Sequence, residues 1–303
     1  MKRLVYSISL VFPLSIAVLV LFAPQVRAIT VDGNLDAGYG SALAVQTIGT
    51  GFGNAAGGDD AAGGSELDAA YGVISGGNLY LFLAGNFENN GNHLNIFIGS
   101  SDVPGQNVLN IGSSTEAAMN GSTFSPGFSP NYMIDANDYA GTVYVDGFSL
   151  PNGGTAAQAY LGSFASGSSG TLGSLTLALI NSNGGGVDGS AGTSEPGVGA
   201  TVTTGMELAI PLSTIGSPSG AIMVMADVNG GGDGYLSNQF LPGLPGGTGN
   251  VGGGGPYTGG SSSQFNFGST PGEYFTVAVP EPSTIGLMLV GLLGALAIRR
   301  RKA

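Results

Sequence analysis

The sequence predicts an all-β protein: an antiparallel β-sandwich with long Gly-rich loops, framed by an N-terminal signal helix and a C-terminal transmembrane helix. Three observations point there. Hydrophobic residues make up 42% of the 303 and fall in discrete runs of strand length, several of them alternating. Gly (57) and Pro (15) punctuate the intervals between those runs. All seven Lys and Arg residues lie at the two ends, so residues 29–298 contain neither.

Met1 to Ala28 has the three parts of a secretory signal. Lys2 and Arg3 supply the positive start, residues 4–23 are apolar apart from a few breaks, and Val26-Arg27-Ala28 offers a cleavage site after Ala28. An uncleaved anchor is the competing reading. Cleavage implies passage through the Sec translocon and signal peptidase.

The body, residues 29–278, reads as one domain. Residues 29–31 form a first candidate strand, closed by the turn Asp32-Gly33-Asn34, and residues 42–48 a second. Residues 49–64 are a loop of Gly, Ala and Asp. Residues 66–74 alternate through Leu67, Ala69, Tyr71 and Val73, Gly76-Gly77-Asn78 turns the chain, and residues 79–84 are continuously apolar, as in a strand buried on both faces. Leu94, Ile96 and Ile98 alternate again, so residues 66–98 are expected to form an antiparallel meander. Residues 115–121 suit one short helix. Strands are expected over 132–136, 141–148, 156–164, 175–180, 206–210 and 222–227, with a short helical turn at Pro211-Leu212-Ser213. Residues 181–199 and 229–260 read as Gly-rich loops, and residues 274–279 close the domain.

The tail, residues 279–303, has its own order. Pro280-Glu281-Pro282 is a stiff, extended peptide, because each proline fixes its own φ and biases its predecessor away from helix. Residues 285–298 are apolar and uncharged. As a helix they reach roughly 21 Å at about 1.5 Å per residue, short of a bilayer core of about 30 Å. Arg299, Arg300, Arg301 and Lys302 then form a cytoplasmic stop. A plain short anchor is the competing reading. This order of parts closely resembles the PEP-CTERM sorting signal. The resemblance implies recognition of Pro280, Glu281 and Pro282 by exosortase, a membrane transpeptidase. It also implies transient insertion in the inner membrane and export to the cell surface in an exopolysaccharide-forming, Gram-negative-type envelope.

Composition narrows the chemistry. Residues 29–298 keep all 19 acidic residues and have nothing to pair them with except one histidine. Such a surface repels nucleic acid, so no nucleic-acid partner is expected. There is no Cys, hence no disulfide and no thiolate metal site. Without body Lys or Cys, Schiff-base and cysteine catalysis are excluded, and a Ser/His/Asp triad would rest wholly on His93. His93 itself is expected to be a surface or internally satisfied residue.

One glycine-rich turn places oxygen side chains at Asp227, Asn229 and Asp233, and Asp59 and Asp60 sit in another such loop. Calcium takes six to eight hard oxygens from loops of this kind. The bland alternative is turn-forming Asp making local backbone bonds. Three further stretches resemble family 9 carbohydrate-binding modules: Val31-Asp32-Gly33-Asn34-Leu35-Asp36, Glu66–Tyr71 with Leu79–Phe82, and Met206–Ser213 followed by residues 223–229. That resemblance implies a sandwich that stacks sugars. Those modules use tryptophan and this chain has none, so stacking would fall to Tyr39, Tyr71, Tyr132 or Tyr235, each of which has core or edge packing as its ordinary role.

The expectation is therefore an exported, non-enzymatic matrix protein of the cell surface, with calcium bridging of its carboxylates left open beside turn-forming Asp. The alternatives are a carbohydrate-binding module for exopolysaccharide and a carboxylate-dependent glycosidase.

Overall fold

The computed structural model describes residues 28–52, 64–183, 185–188, 191–252, 266–269 and 272–279. The expected signal segment (up to residue 27), the motif Pro280-Glu281-Pro282, the apolar tail, Arg299 to Lys302, and Asp59 with Asp60 lie outside the described residues. Among the described residues no helix is long and apolar enough to cross a membrane.

The body is all-β, with two antiparallel sheets. In chain order the strands are β1 (Ala44–Val45), β2 (Glu66–Ser75), β3 (Asn78–Asn86), β4 (Asn90–Ser100), β5 (Tyr132–Tyr139), β6 (Thr142–Ser149), β7 (Gln158–Ala165), β8 (Ser169–Leu172), β9 (Leu175–Leu179), β10 (Gly205–Pro211), β11 (Ile222–Asn229), β12 (Leu236–Leu241) and β13 (Phe275–Val277). The first sheet runs β1-β2-β3-β10-β9-β8. The second runs β12-β11-β4-β5-β6-β7, with β13 completing the β11 edge. Short 3-10 helices cover Thr115–Met119 and Leu212–Ile215, where the sequence predicts helical turns.

Alternation builds the core. Leu79, Leu81 and Leu83 of β3, Leu94, Ile96 and Ile98 of β4, and Leu208 and Ile210 of β10 meet in one apolar layer shared by both sheets. The opposite face of β3, through Phe82 and Ala84, packs with Tyr39 and Tyr71, so the continuous run is buried on both sides as predicted. The second sheet is also covered on its outer face. There Phe97, Met133, Phe148, Met223 and Met225 pack against Phe124, Phe128, Met119 and Phe267 from the connecting segments. Phe124 and Phe267 stack at 5.1 Å.

Three expectations change. Residues 229–260, read as a Gly-rich loop, contain strand β12 at Leu236–Leu241, paired with β11. The predicted 66–98 meander is broken: β2 and β3 pair through the tight Gly76-Gly77 turn, but β4 leaves for the other sheet and pairs with β5 and β11. The crossover is held by Asn181, whose side chain accepts the Phe87 N–H at 2.9 Å and donates to the Phe87 carbonyl at 2.6 Å. Residues 29–31 form no strand. The backbone N–H groups of Asp32 and Gly33 instead donate to the buried Glu207 carboxylate, each at 2.9 Å, and the Tyr39 hydroxyl donates to its other oxygen at 2.9 Å.

Candidate metal centre

The period-2 pattern that sends Leu94, Ile96 and Ile98 inward sends His93, Asn95 and Phe97 outward. Register does the rest. Asn95 lies opposite Asp135 of β5 on one side and Asp227 of β11 on the other, and Asp135 in turn lies opposite Asp146 of β6. A polar row thus crosses four adjacent strands on the outer face of the second sheet. A slip of one residue would turn that row into the shared core.

Two covering segments close over the row. The helix Thr115–Met119 brings Glu116, and the β11–β12 turn brings Asp233. Ligand-capable atoms of His93, Glu116, Asp135 and Asp233 all lie within 4.8 Å of one another, and all four residues are buried. His93 Nδ1 is 3.0 and 2.9 Å from the two Asp135 oxygens and 3.4 Å from Asp233 Oδ2. The Asn95 amide donates to Asp233 Oδ1 at 3.0 Å and, more weakly, to Asp227 Oδ1 at 3.4 Å. Asp233 sits at φ 52°, a left-handed conformation that aims its side chain back at the sheet. Its N–H donates to the Gly230 carbonyl at 2.9 Å.

The polar demand of this group is not met. Glu116 Oε2, Asn95 Oδ1, Asp227 Oδ2 and Asp233 Oδ2 are buried and make no hydrogen bond. Burial drags the His93 pKa down, but the Asp135 hydrogen bond and the surrounding carboxylates outweigh it and hold the ring at about 9. Burial pushes Asp135 and Asp227 well above the usual carboxylate range, and lifts Asp233 to about 6 against the pull of His93 and Asn95.

Of the loop residues singled out by sequence, Asp233 joins the group of four. Asp227 stands behind it, across Asn95. The Asn229 side chain is engaged with its own turn: it accepts the Gly230 and Tyr235 N–H groups at 3.0 and 3.1 Å and donates to the Asp233 carbonyl at 3.2 Å. Sequence reasoning passed over Glu116 and Asp135 and placed His93 outside any site. The available signal was the alternation itself, which puts two polar residues, His93 and Asn95, on one face of an otherwise apolar strand.

The stacking candidates also move. Tyr39, Tyr71 and Tyr132 are buried in the cores, whereas Tyr235 packs on Phe52 at 5.7 Å and stays 41% exposed. The most exposed tyrosines are Tyr139 and Tyr160, at 59% and 61%. By register they share an outer face with Tyr144, also exposed, on the adjoining strand.

Residues 278–302 match the family model described as the PEP-CTERM protein-sorting motif. No curated protein and no solved structure matches the chain, and the resemblance to family 9 modules is not confirmed. The matched segment begins one residue after β13 and takes in the Pro-Glu-Pro peptide, the apolar run and the arginines. The chain carries a PEP-CTERM sorting signal, which marks it as an exported cell-envelope protein processed by exosortase.

Proposed function

We propose that the body is a non-enzymatic matrix component, carried out through the Sec pathway and released by exosortase into an exopolysaccharide layer. The observation that carries this reading is the sorting motif fused to a body with no Lys or Arg. Such a body stays soluble and repels other anionic polymers until its exposed carboxylates, such as Asp32, Asp102 and Asp188, are bridged by a cation. Calcium is the expected bridging ion for hard carboxylate oxygens. The burial of His93, the one histidine, among carboxylates supports the non-enzymatic reading. Intact mass of the natively exported protein tests the route. Loss of residues at both ends is expected, whereas a cytosolic chain still ending in Arg-Arg-Arg-Lys-Ala would overturn it.

A second reading, glycan binding, is favoured by the exposed tyrosines. Tyr139, Tyr144 and Tyr160 stand on three neighbouring strands of one face, as aromatic platforms for sugar rings do. Glycan-array binding that disappears in a Tyr139→Ala/Tyr160→Ala double variant supports it; a blank array counts against it.

A further inference from the structure

We propose that His93, Glu116, Asp135 and Asp233 bind one divalent first-row transition ion, of the Zn²⁺ or Mn²⁺ class, which fastens the outer layer onto the second sheet.

The first ground is charge. Three carboxylates converge on one imidazole in a buried site, a fourth, Asp227, stands across Asn95, and residues 29–298 supply no Lys or Arg. With all three carboxylates ionised, an imidazolium leaves two charges uncancelled, whereas a dication with neutral His93 leaves one, beside the amide donor of Asn95. Carboxylates buried together are neutralised either by taking up protons or by a cation, and a dication does so while using their oxygens as ligands.

The second ground is unsatisfied ligand atoms. Glu116 is 1% exposed and Asp233 fully buried, and Glu116 Oε2 and Asp233 Oδ2 make no hydrogen bond. Both belong to the convergent group, whose ligand-capable atoms lie within 4.8 Å of one another. Groups at such depth are ordinarily paired.

The third ground is spacing. Ligand atoms about 2.0–2.2 Å from a common ion in tetrahedral or octahedral arrangement stand roughly 3.0–3.5 Å apart, and trans pairs about 4.3 Å. The 2.9–3.4 Å separations around His93 Nδ1 suit that shell, and the 4.8 Å limit of the whole group exceeds the trans separation by only about 0.5 Å, a gap that small side-chain rotations close.

The donor set selects the ion. One imidazole nitrogen with three carboxylates matches the borderline dications, whereas calcium prefers an all-oxygen shell of six or more. The calcium loop expected from residues 227–233 thus contributes one ligand, Asp233, to a different kind of site. Asn95, which donates to Asp233, acts as the orienting partner behind the shell. The burial of all four ligands fits a structural role. The four arrive from β4, the helix at residues 115–119, β5 and the β11–β12 turn, so one ion ties together segments from residue 93 to residue 233.

The test uses the full chain, purified in detergent, stripped with a chelator and titrated separately with Zn²⁺, Mn²⁺ and Ca²⁺. One Zn²⁺ or Mn²⁺ per chain by calorimetry and elemental analysis is expected, with a rise in melting temperature. Asp135→Asn and Glu116→Gln should each weaken binding by roughly 100-fold or more, beyond the loss typical of an orienting partner. Pulsed EPR of the Mn²⁺ form should show ¹⁴N coupling that vanishes in His93→Gln. If Asp135→Asn does not fold, Glu116→Gln, on the covering helix, still reports the site. No stoichiometric binding, preference for Ca²⁺, or affinity unchanged in the folded variants would each overturn the proposal. The outcome is independent of whether the exported chain is a matrix component.

Discussion

Replacing Glu66 by glutamine should flatten the pH dependence of stability. Glu66 and Asp68 sit together at the start of β2. Glu66 Oε1 accepts from the Asn86 and Asn183 amides at 3.2 and 3.1 Å, and Asp68 accepts the Val187 N–H at 2.8 Å. Burial, followed by the charge of Asp68, lifts the Glu66 pKa from 4.5 to about 9. Burial also raises Asp68, to about 7. The folded protein therefore keeps a proton on Glu66 that the unfolded chain releases. The sign follows: the contribution is complete below pH 4.5 and is lost as pH climbs towards 9. Each pH unit in that window costs ~1.4 kcal/mol, or about 3 kcal/mol by pH 7. Glutamine reproduces the protonated form, with its oxygen towards Asn86 and Asn183 and its amide towards Asp68. Urea unfolding at pH 5, 7 and 8.5 should find the variant close to wild type at pH 5 and more stable by about 4–5 kcal/mol at pH 8.5. Parallel pH profiles for the two proteins would refute the retained proton.

Other consequences are simpler to read out. Tyr39→Phe removes one donor from buried Glu207 and should cost about 1–3 kcal/mol, measured by urea unfolding, with earlier proteolysis near residues 29–40. Gly205→Ala would place a Cβ 2.1 Å from the Leu83 carbonyl, a backbone overlap between β10 and β3, and should abolish cooperative folding in a thermal melt. At Gly77, φ 82°, a Cβ meets nothing, so Gly77→Ala should cost only about 1 kcal/mol of left-handed strain. Glu281→Gln should leave the folded body intact and let unprocessed chain accumulate in the membrane fraction, seen as retained C-terminal mass.

Much of the fold was legible because its signals are local. Residues 66–74, 79–84, 175–180 and 206–210 announce strands by alternation or continuous burial, and Gly76-Gly77 announces its own turn. What escaped depends on partners far away in sequence. β12 reads Leu236-Ser237-Asn238-Gln239-Phe240-Leu241, with three consecutive polar residues, so it resembles loop. In the fold these are buried and satisfied: the Asn238 amide donates to the Gly49 and Thr248 carbonyls, each at 2.9 Å, and Gln239 accepts the Leu67 N–H at 3.1 Å. The meander failed for the same reason, since nothing within residues 87–100 reveals that β11 lies beside β4. At the candidate centre, spacing exposed Asp227 and Asp233, which are neighbours along the chain. Glu116 and Asp135 join His93 only through strand register and a covering helix, which no local pattern encodes.

The position of β13 constrains the sorting reaction. This strand closes the β11 edge through Val277, and the Pro-Glu-Pro peptide begins three residues later. Even fully stretched, those three residues reach only about 10 Å. A peptidase seated in the bilayer must then either crowd against an already finished sheet or act while the last strand is still undocked. Lengthening the leash between Val277 and Pro280 with Gly-Ser would separate the two: faster release means the body hinders the enzyme, and an unchanged rate means release comes before closure.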